Sequence, residues 1–201
     1  MRLLLVRHGE TASNIERKLD TAMPGPPLTE LGHKQARELA DTLGAEGLVA
    51  VYASIGLRAQ QTAAPTAERF GLPVQILAGI HEIQVGSLEG RNDTEAYKTY
   101  LETVIRWAEG ALDVAFPDGG ESGQQVLDRF LAAIESIRSI HQDGTVMVVT
   151  HGGAGRMGAL ALASNVPVEL AENLLPNTGV VVLEIEGDGW VCRSWAGVEV
   201  A

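Results

Sequence analysis

The sequence predicts a three-layer α/β/α fold: a mostly parallel central sheet with an antiparallel edge strand and a small helical cap. Three observations carry that expectation. The runs "RLLLVR" (2–7), "LVAVYAS" (48–54) and "TVMVVT" (145–150) are continuously apolar rather than alternating, as in strands buried on both faces. They alternate with segments of helical periodicity, which implies parallel strands joined by helical crossovers. Near the end, "GVVVLEIE" and "GWVCRSW" flank Gly187-Asp188-Gly189, a hairpin-like turn that adds the antiparallel edge. Residues 1–201 are read as one domain, with 91–120 as a cap over the site.

In chain order, the strand 2–7 is followed by the Pro/Gly-rich loop "DTAMPGPPL". Thr29 is placed to cap a helix whose apolar face is Leu31, Ala36, Leu39, Ala40 and Leu43. After the second strand, Ala59, Ala63, Ala67 and Phe70 give a helix over 58–70. Pro65 falls inside it, and an interior proline costs about 3 kcal/mol, so a kink or break is expected there. "LPVQIL" is a weaker third strand, and a helix is expected over 93–110. A clearer helix spans about 122–141, with Val126, Leu127, Phe130, Ile134 and Ile137 inward. The glycines after "TVMVVT" open another.

Bulk properties narrow the function. Hydrophobic residues make up 45% and charged residues 20%, as in a globular protein. The net charge of -11 argues against nucleic acid and requires any anion site to be built locally. One cysteine, Cys192, excludes an intrachain disulfide. The apolar run before Arg7 is too short for a signal-peptide core, and no run approaches the roughly 20 residues of a membrane span. The expectation is a cytoplasmic protein with no membrane partner.

Open α/β sheets bind ligands beyond the C-terminal ends of their strands. Arg7-His8, Ser54 to Arg58 and His151 follow the first, second and fourth strands, so they are expected to share one rim. Gly153, Gly155 and Gly158 also spell G-x-G-x-x-G. A dinucleotide loop would need a βαβ unit with an acidic strand end some twenty residues on. Glu169 and Glu172 lie at that distance but in "VPVELAENLLP", which is no strand, and too little chain follows to build the fold.

The rim residues fit phosphoryl chemistry instead. Arg7 and Arg58 can grip phosphoryl oxygens bidentately and help keep His8 neutral. A neutral His8 can attack phosphorus, splitting one hard step into two. His151 can donate to the transferring oxygens, and the backbone N–H groups of Gly152 and Gly153, at a helix start, favour an anion. On this reading the glycines let backbone approach a phosphate. Glu82, in "GIHEIQVGSLEG", is the expected proton donor for the leaving alkoxide, its pKa raised by partial burial and the phosphate; Glu89 is the rival carboxylate.

"LVRHGETASN" resembles the R-H-G signature of the histidine phosphatase superfamily, the phosphoglycerate mutase-like family. The likeness continues in family order through "PLTELGHKQA", "SIGLRAQQTA", "IHEIQVGSLEG", "GGESGQQVLDR" and "VVTHGG". The resemblance implies His8 as the phosphorylated nucleophile, Arg7, Arg58 and His151 as the phosphate pocket, Glu82 as proton donor, and Asn14 as a phosphoryl contact. It implies no metal and no organic cofactor. Departures occur at Pro26-Pro27, where the family often has Gly-Trp, at Ile55, where an acidic residue is common, and at Arg91-Asn92. These bear on substrate selection.

Against those roles stand plainer ones: capping for Asn14 and Glu82, a solvated helix start for Arg58, structural positions for His33, His81 and His141, core packing for Trp107, Trp190 and Trp195, and a turn for Gly119 to Ser122. Within the resemblance, a mutase carries a basic insert; here 93–120 has Lys98 and Arg106 against Asp93, Glu95, Glu102, Glu109, Asp113 and Asp118. Phosphomonoester hydrolysis of a small phosphorylated metabolite is therefore expected, with Tyr97, Tyr100 and Trp107 as candidate cap contacts. Mutase-type transfer and a non-catalytic phosphate-binding module remain the alternatives, and a homodimer is left open.

Overall fold

The computed structural model describes residues 1–43, 47–172 and 174–201. Strands β1 (Arg2–Arg7), β2 (Leu48–Ser54), β3 (Val74–Leu77), β4 (Thr145–Thr150), β5 (Val180–Glu186), β6 (Gly189–Trp195) and β7 (Val198–Glu199) form one sheet in the order β3-β2-β4-β1-β5-β6-β7. β1 to β4 are parallel; β5, β6 and β7 run antiparallel to their neighbours. The antiparallel edge is thus longer than the expected hairpin, because β7 is too short to show a period in sequence.

The helices are α1 (Ala12–Ile15), α2 (Glu30–Thr42), α3 (Leu57–Phe70), α4 (Thr94–Ala108), α5 (Gly123–Ile140), α6 (Gly152–Leu162) and α7 (Val168–Ala171). Alternation along β1 sends Leu4 and Val6 to the face covered by Leu39 of α2 and Ala59, Ala63 and Ala67 of α3. Leu3 and Leu5 face the other way, toward Trp107 of α4, Phe130 and Ile134 of α5 and Ala159 of α6. Phe130 and Ile134 are almost fully buried, each stabilising by about 1.5–3 kcal/mol relative to exposure. Three layers result.

Thr29, Asp93 and Ser122 cap α2, α4 and α5, each side chain accepting from a backbone N–H in the first turn. Two expectations are corrected. α3 is not broken at Pro65, because Thr62, Ala63, Thr66 and Ala67 bury on both sides of it and their packing offsets the missing hydrogen bond. Leu31 is 48% exposed and not on the inner face of α2. Gly32 takes that position, where a Cβ would lie 2.2 Å from the Glu10 carbonyl oxygen, so the first turn seats directly on backbone.

The parallel register brings the strand ends level. Arg7 pairs with Thr150, and Ala53 with Val149. His8, His151 and Ser54 therefore emerge side by side.

Candidate active site

At that rim lies a cavity of about 760 Å³ lined by Arg7, His8, Asn14, Arg58, Glu82 and Gly152, among others. The His8 Nδ1–H donates to the Gly9 carbonyl at 2.7 Å; a carbonyl can only accept, so the proton sits on Nδ1. Nε2 carries the lone pair and accepts from Arg58 Nε at 3.1 Å. Burial, then His151 and Arg58, hold the His8 pKa well below the ordinary histidine range, so the ring is neutral near pH 7.

His151 is fully buried, with its ring centroid 5.2 Å from that of His8. Its Nε2 lies 2.8 Å from the Ser54 hydroxyl, and its Nδ1 has no hydrogen-bond partner among the described residues. Burial, followed by Arg58, also pushes its pKa well down.

Arg7 donates through Nη1 to the Leu175 carbonyl at 2.5 Å, and Arg58 through Nη2 to the Asp20 carbonyl at 3.0 Å. Arg7 Nε and Arg58 Nη1 are buried donors without an acceptor among the described residues. Such groups cost about 1–3 kcal/mol each when left unpaired. Burial lowers both arginines' pKa, while the Glu82 carboxylate pushes them back up. Gly25, at φ +72, makes room for this: a Cβ there would come within 2.1 Å of Arg58 Nη1.

Asn14 fills two roles. It closes a capping box with Thr11 at the start of α1, and its Oδ1 accepts from Thr11 N and from Asn177 Nδ2, both at 3.1 Å. With the oxygen doubly used, its amide NH₂ is free to donate into the cavity.

Glu82 is where the structure departs from expectation. Its carboxylate accepts from the backbone N–H of Gly153 at 3.1 Å, Ala154 at 2.9 Å and Ile83 at 2.9 Å. The N–H groups of Gly153 and Ala154 at the start of α6 are thus held by a side chain, because orphan N–H groups at a helix N-terminus favour a carboxylate, while Gly152 lines the cavity. The motif glycines are packing sites. A Cβ on Gly158 would meet Phe130 of α5 at 2.2 Å, one on Gly155 the Thr150 side chain at 2.8 Å, and one on Gly153 the Glu82 carboxylate at 2.9 Å. Close helix approach, not a nucleotide, explains them.

Glu89 faces elsewhere: its carboxylate accepts from Thr21 N and from Thr21 Oγ1 at 2.6 Å, tying two loops together. Tyr97 and Tyr100 line the cavity, whereas Trp107 is buried, donating to the Val114 carbonyl and meeting Phe116 edge-on. Trp107 is therefore core and no cap contact. His141 meets the Tyr52 hydroxyl at 2.9 Å, a structural position.

Three contributions, from Asn177, Asp20 and Arg129, escape sequence reasoning, and the contact made by Ser54, itself expected at the rim, is a fourth detail it does not give. Asn177 donates to the His8 carbonyl at 3.0 Å and so links nucleophile and Asn14. Asp20 lines the cavity with its Oδ1 3.9 Å from Arg58 Nη1. Ser54 touches His151, and Arg129 holds the Glu82 loop. Asp20 falls in a stretch read only as a Pro/Gly-rich loop, Arg129 stands in "GGESGQQVLDR" with no role of its own, and Asn177 is not singled out. The continuation of "LVAVYAS" to the strand end is the one available signal, for Ser54.

A model of the histidine phosphatase superfamily (branch 1) matches residues 3–197. A metal-independent phosphoserine phosphatase of Arabidopsis thaliana is 34% identical over 198 residues, covering 98% of this chain and 81% of the relative. Phosphoglycerate mutase-like protein 4 of the same plant is 33% identical over 199 residues, covering 98% and 85%. A Mycobacterium tuberculosis protein of the PE-PGRS family is 34% identical over 212 residues, which is 97% of this chain but 36% of that protein's length. Among solved structures, a mycobacterial glucosyl-3-phosphoglycerate phosphatase in complex with VO3 superposes with a TM-score of 0.82 at 25% identity, covering 96% of this chain and 98% of that one.

Proposed function

Because the chain belongs to the histidine phosphatase superfamily, branch 1, we propose that it hydrolyses small phosphomonoesters without a metal, through a phosphohistidine on His8. One observation carries the reading: on Arg7 and Arg58 two buried guanidinium donors have no acceptor among the described residues, beside the His8 imidazole, whose Nε2 accepts from Arg58 Nε. Phosphoryl oxygens satisfy those donors, and the positive charge of both arginines stabilises the charge that builds up in transfer.

In the first half-reaction the His8 Nε2–P bond forms and the ester P–O bond breaks. Glu82 gives its proton to the departing alkoxide. In the second, water passes a proton to Glu82 and attacks phosphorus, the N–P bond breaks and phosphate leaves. Neutral His151 is set to steady the transferring group, and Asn14 to donate to one of its oxygens.

Hydrolysis is favoured over mutase-type transfer by the cap. Its own cavity-lining residues Asn92, Thr94, Tyr97 and Tyr100 bring no cation, and Lys98 is 3.8 Å from Glu102 instead; the cations at the mouth, Arg17 and Lys18, come from the loop after α1, and Lys18 is paired with Glu16 at 2.5 Å. Rapid-quench mass spectrometry on the protein turning over p-nitrophenyl phosphate tests the proposal. A phosphoryl adduct mapped to the peptide holding His8 is expected; turnover with no adduct there overturns it. Phosphoglycerate isomerisation stimulated by bisphosphoglycerate would replace hydrolysis by the mutase reading.

A further inference from the structure

The loop from Gly79 to Val85 carries Glu82, yet it has no strand or helix to satisfy its backbone. It is nonetheless anchored in the core, with Ile80, Ile83 and Val85 almost fully buried. Buried backbone groups must find partners, so the bonds of this loop account for its shape.

Four of them go to two side chains, one just before α5 and one within it. Arg129 uses all five of its N–H donors. Nη1 reaches the carbonyls of Gly79 at 2.5 Å and His81 at 2.8 Å, and Nη2 reaches that of Glu82 at 3.1 Å. Nε and Nη2 also grip the Glu121 carboxylate at 2.6 and 2.8 Å. Glu121 in turn accepts from Gln84 N at 2.9 Å, and its own N–H donates to the Gln84 carbonyl at 2.8 Å. The Thr150 hydroxyl donates to the Ile80 carbonyl at 2.7 Å. The Arg129 and Glu121 side chains are only 15% and 16% exposed.

The pair is more than a surface salt bridge. A guanidinium fork filled in every direction is a rigid template, and here it holds two consecutive carbonyls, those of His81 and Glu82. We infer that Arg129, locked by Glu121, is a positioning residue for proton transfer, holding the loop so that the Glu82 carboxylate stands over the His8 pocket. The inference rests on the reading of Glu82 as proton donor.

A misplaced donor penalises only the substrates that need a proton. The alkoxide of β-glycerophosphate is a poor leaving group; p-nitrophenolate leaves without help. Arg129→Lys keeps the charge but cannot fill five bonds, and Glu121→Gln keeps the shape but loses the charged grip. Each variant is expected to lose roughly 10–100-fold in kcat on β-glycerophosphate and no more than about threefold on p-nitrophenyl phosphate, within the range of one general acid. Inhibition by vanadate then stays close to that of the parent, showing the phosphate pocket intact.

Glu82→Gln serves as the reference. If it discriminates between the substrates, the doubles Arg129→Lys/Glu82→Gln and Glu121→Gln/Glu82→Gln should be no worse than Glu82→Gln alone, since groups acting through one proton are not additive. Equal losses on both substrates, or additive losses in the doubles, overturn the positioning role while leaving Glu82 in place. A Glu82→Gln variant that does not discriminate removes the proton-donor reading, and this inference with it. Should Arg129→Lys fail to fold, Glu121→Gln carries the same comparison.

Discussion

The two ends of the cavity are built differently. At the phosphate end, His8, Arg58 and His151 are buried and each is fixed from a parallel strand end or the helix after it. At the cap end, Arg17, Lys18, Asn92 and Thr94 are exposed and come from loops and the first turn of α4. There loop and cap are tied by the Tyr97 hydroxyl on the Arg17 carbonyl, the Asn92 amide on that of Glu16 and the Leu19 N–H on that of Arg91. A sheet edge holds side chains to the accuracy that bond-making demands, whereas loops can change without disturbing it. On the proposed function, chemistry sits at one end and selection at the other.

The sharpest break of that contrast is at His8. His8→Ala removes the nucleophile and is expected to lower kcat by about 10⁴-fold or more on every phosphomonoester, good or poor leaving group alike. Arg58→Lys comes next: a point charge in place of the fork loses the Nε–H on His8 and the second donor, and kcat/KM should fall about 10²–10³-fold. Steady-state kinetics on p-nitrophenyl phosphate measures both. A cap substitution that matched either loss would show that the two ends are not separable.

Asp20 lies between the ends. Its Oδ2 accepts from the Ser13 hydroxyl at 2.5 Å, and its Oδ1 is 3.9 Å from the unpartnered Arg58 Nη1. An anionic ligand must share that arginine with it. Asp20→Asn should therefore tighten inhibition by inorganic phosphate by about tenfold, a modest part of the Coulomb energy available at such a distance. Unchanged or weaker inhibition would take Asp20 out of the phosphate end.

Legibility in the sequence divides along the same line. The fold is readable because continuous apolar runs have only one kind of place to go, and the rim residues because strand ends carry ligands. Arg7, His8, Arg58 and Gly152 line one cavity for that reason, His151 packs edge-on against His8 behind it, and Asn14 reaches the cavity from α1. The start of α6 misleads: the sequence shows orphan N–H groups but not that the Glu82 carboxylate from the loop after β3 fills them. Pro65 shows the converse, a local penalty overruled by packing that only the tertiary structure reveals. Asn177, Asp20 and Arg129 are invisible because their partners lie 169, 38 and 47 positions away in the chain.

The two neutral, buried histidines link the phosphate end to stability. Their folded pKa values lie below the unfolded one, so the unfolded chain binds more protons as pH falls below about 6.5. The stability they contribute is whole above that pH and drains as the medium is acidified, by up to about 1.4 kcal/mol per pH unit for each ring. Urea unfolding between pH 7.5 and 5 should show the midpoint dropping, and His151→Gln should make the drop shallower by about one ring's share. An equal slope in that variant would mean that His151 is charged in the folded protein, which would contradict its complete burial.

The smallest effect is expected at Tyr97. Its hydroxyl donates to the Arg17 carbonyl at 2.6 Å and ties α4 to the loop after α1 across the cavity mouth. Tyr97→Phe keeps the ring and removes that one bond, a net loss of about 0.5–1.5 kcal/mol shared between cap closure and folding. On p-nitrophenyl phosphate, whose reacting atoms see only the phosphate end, kcat should move by less than about twofold. On larger phosphomonoesters the loss should fall on KM, because loosening the mouth weakens ground-state contacts without touching His8 or Glu82. A fall in kcat as deep as that of Arg58→Lys would instead make the cap a part of the chemistry, and the contrast between the two ends would collapse.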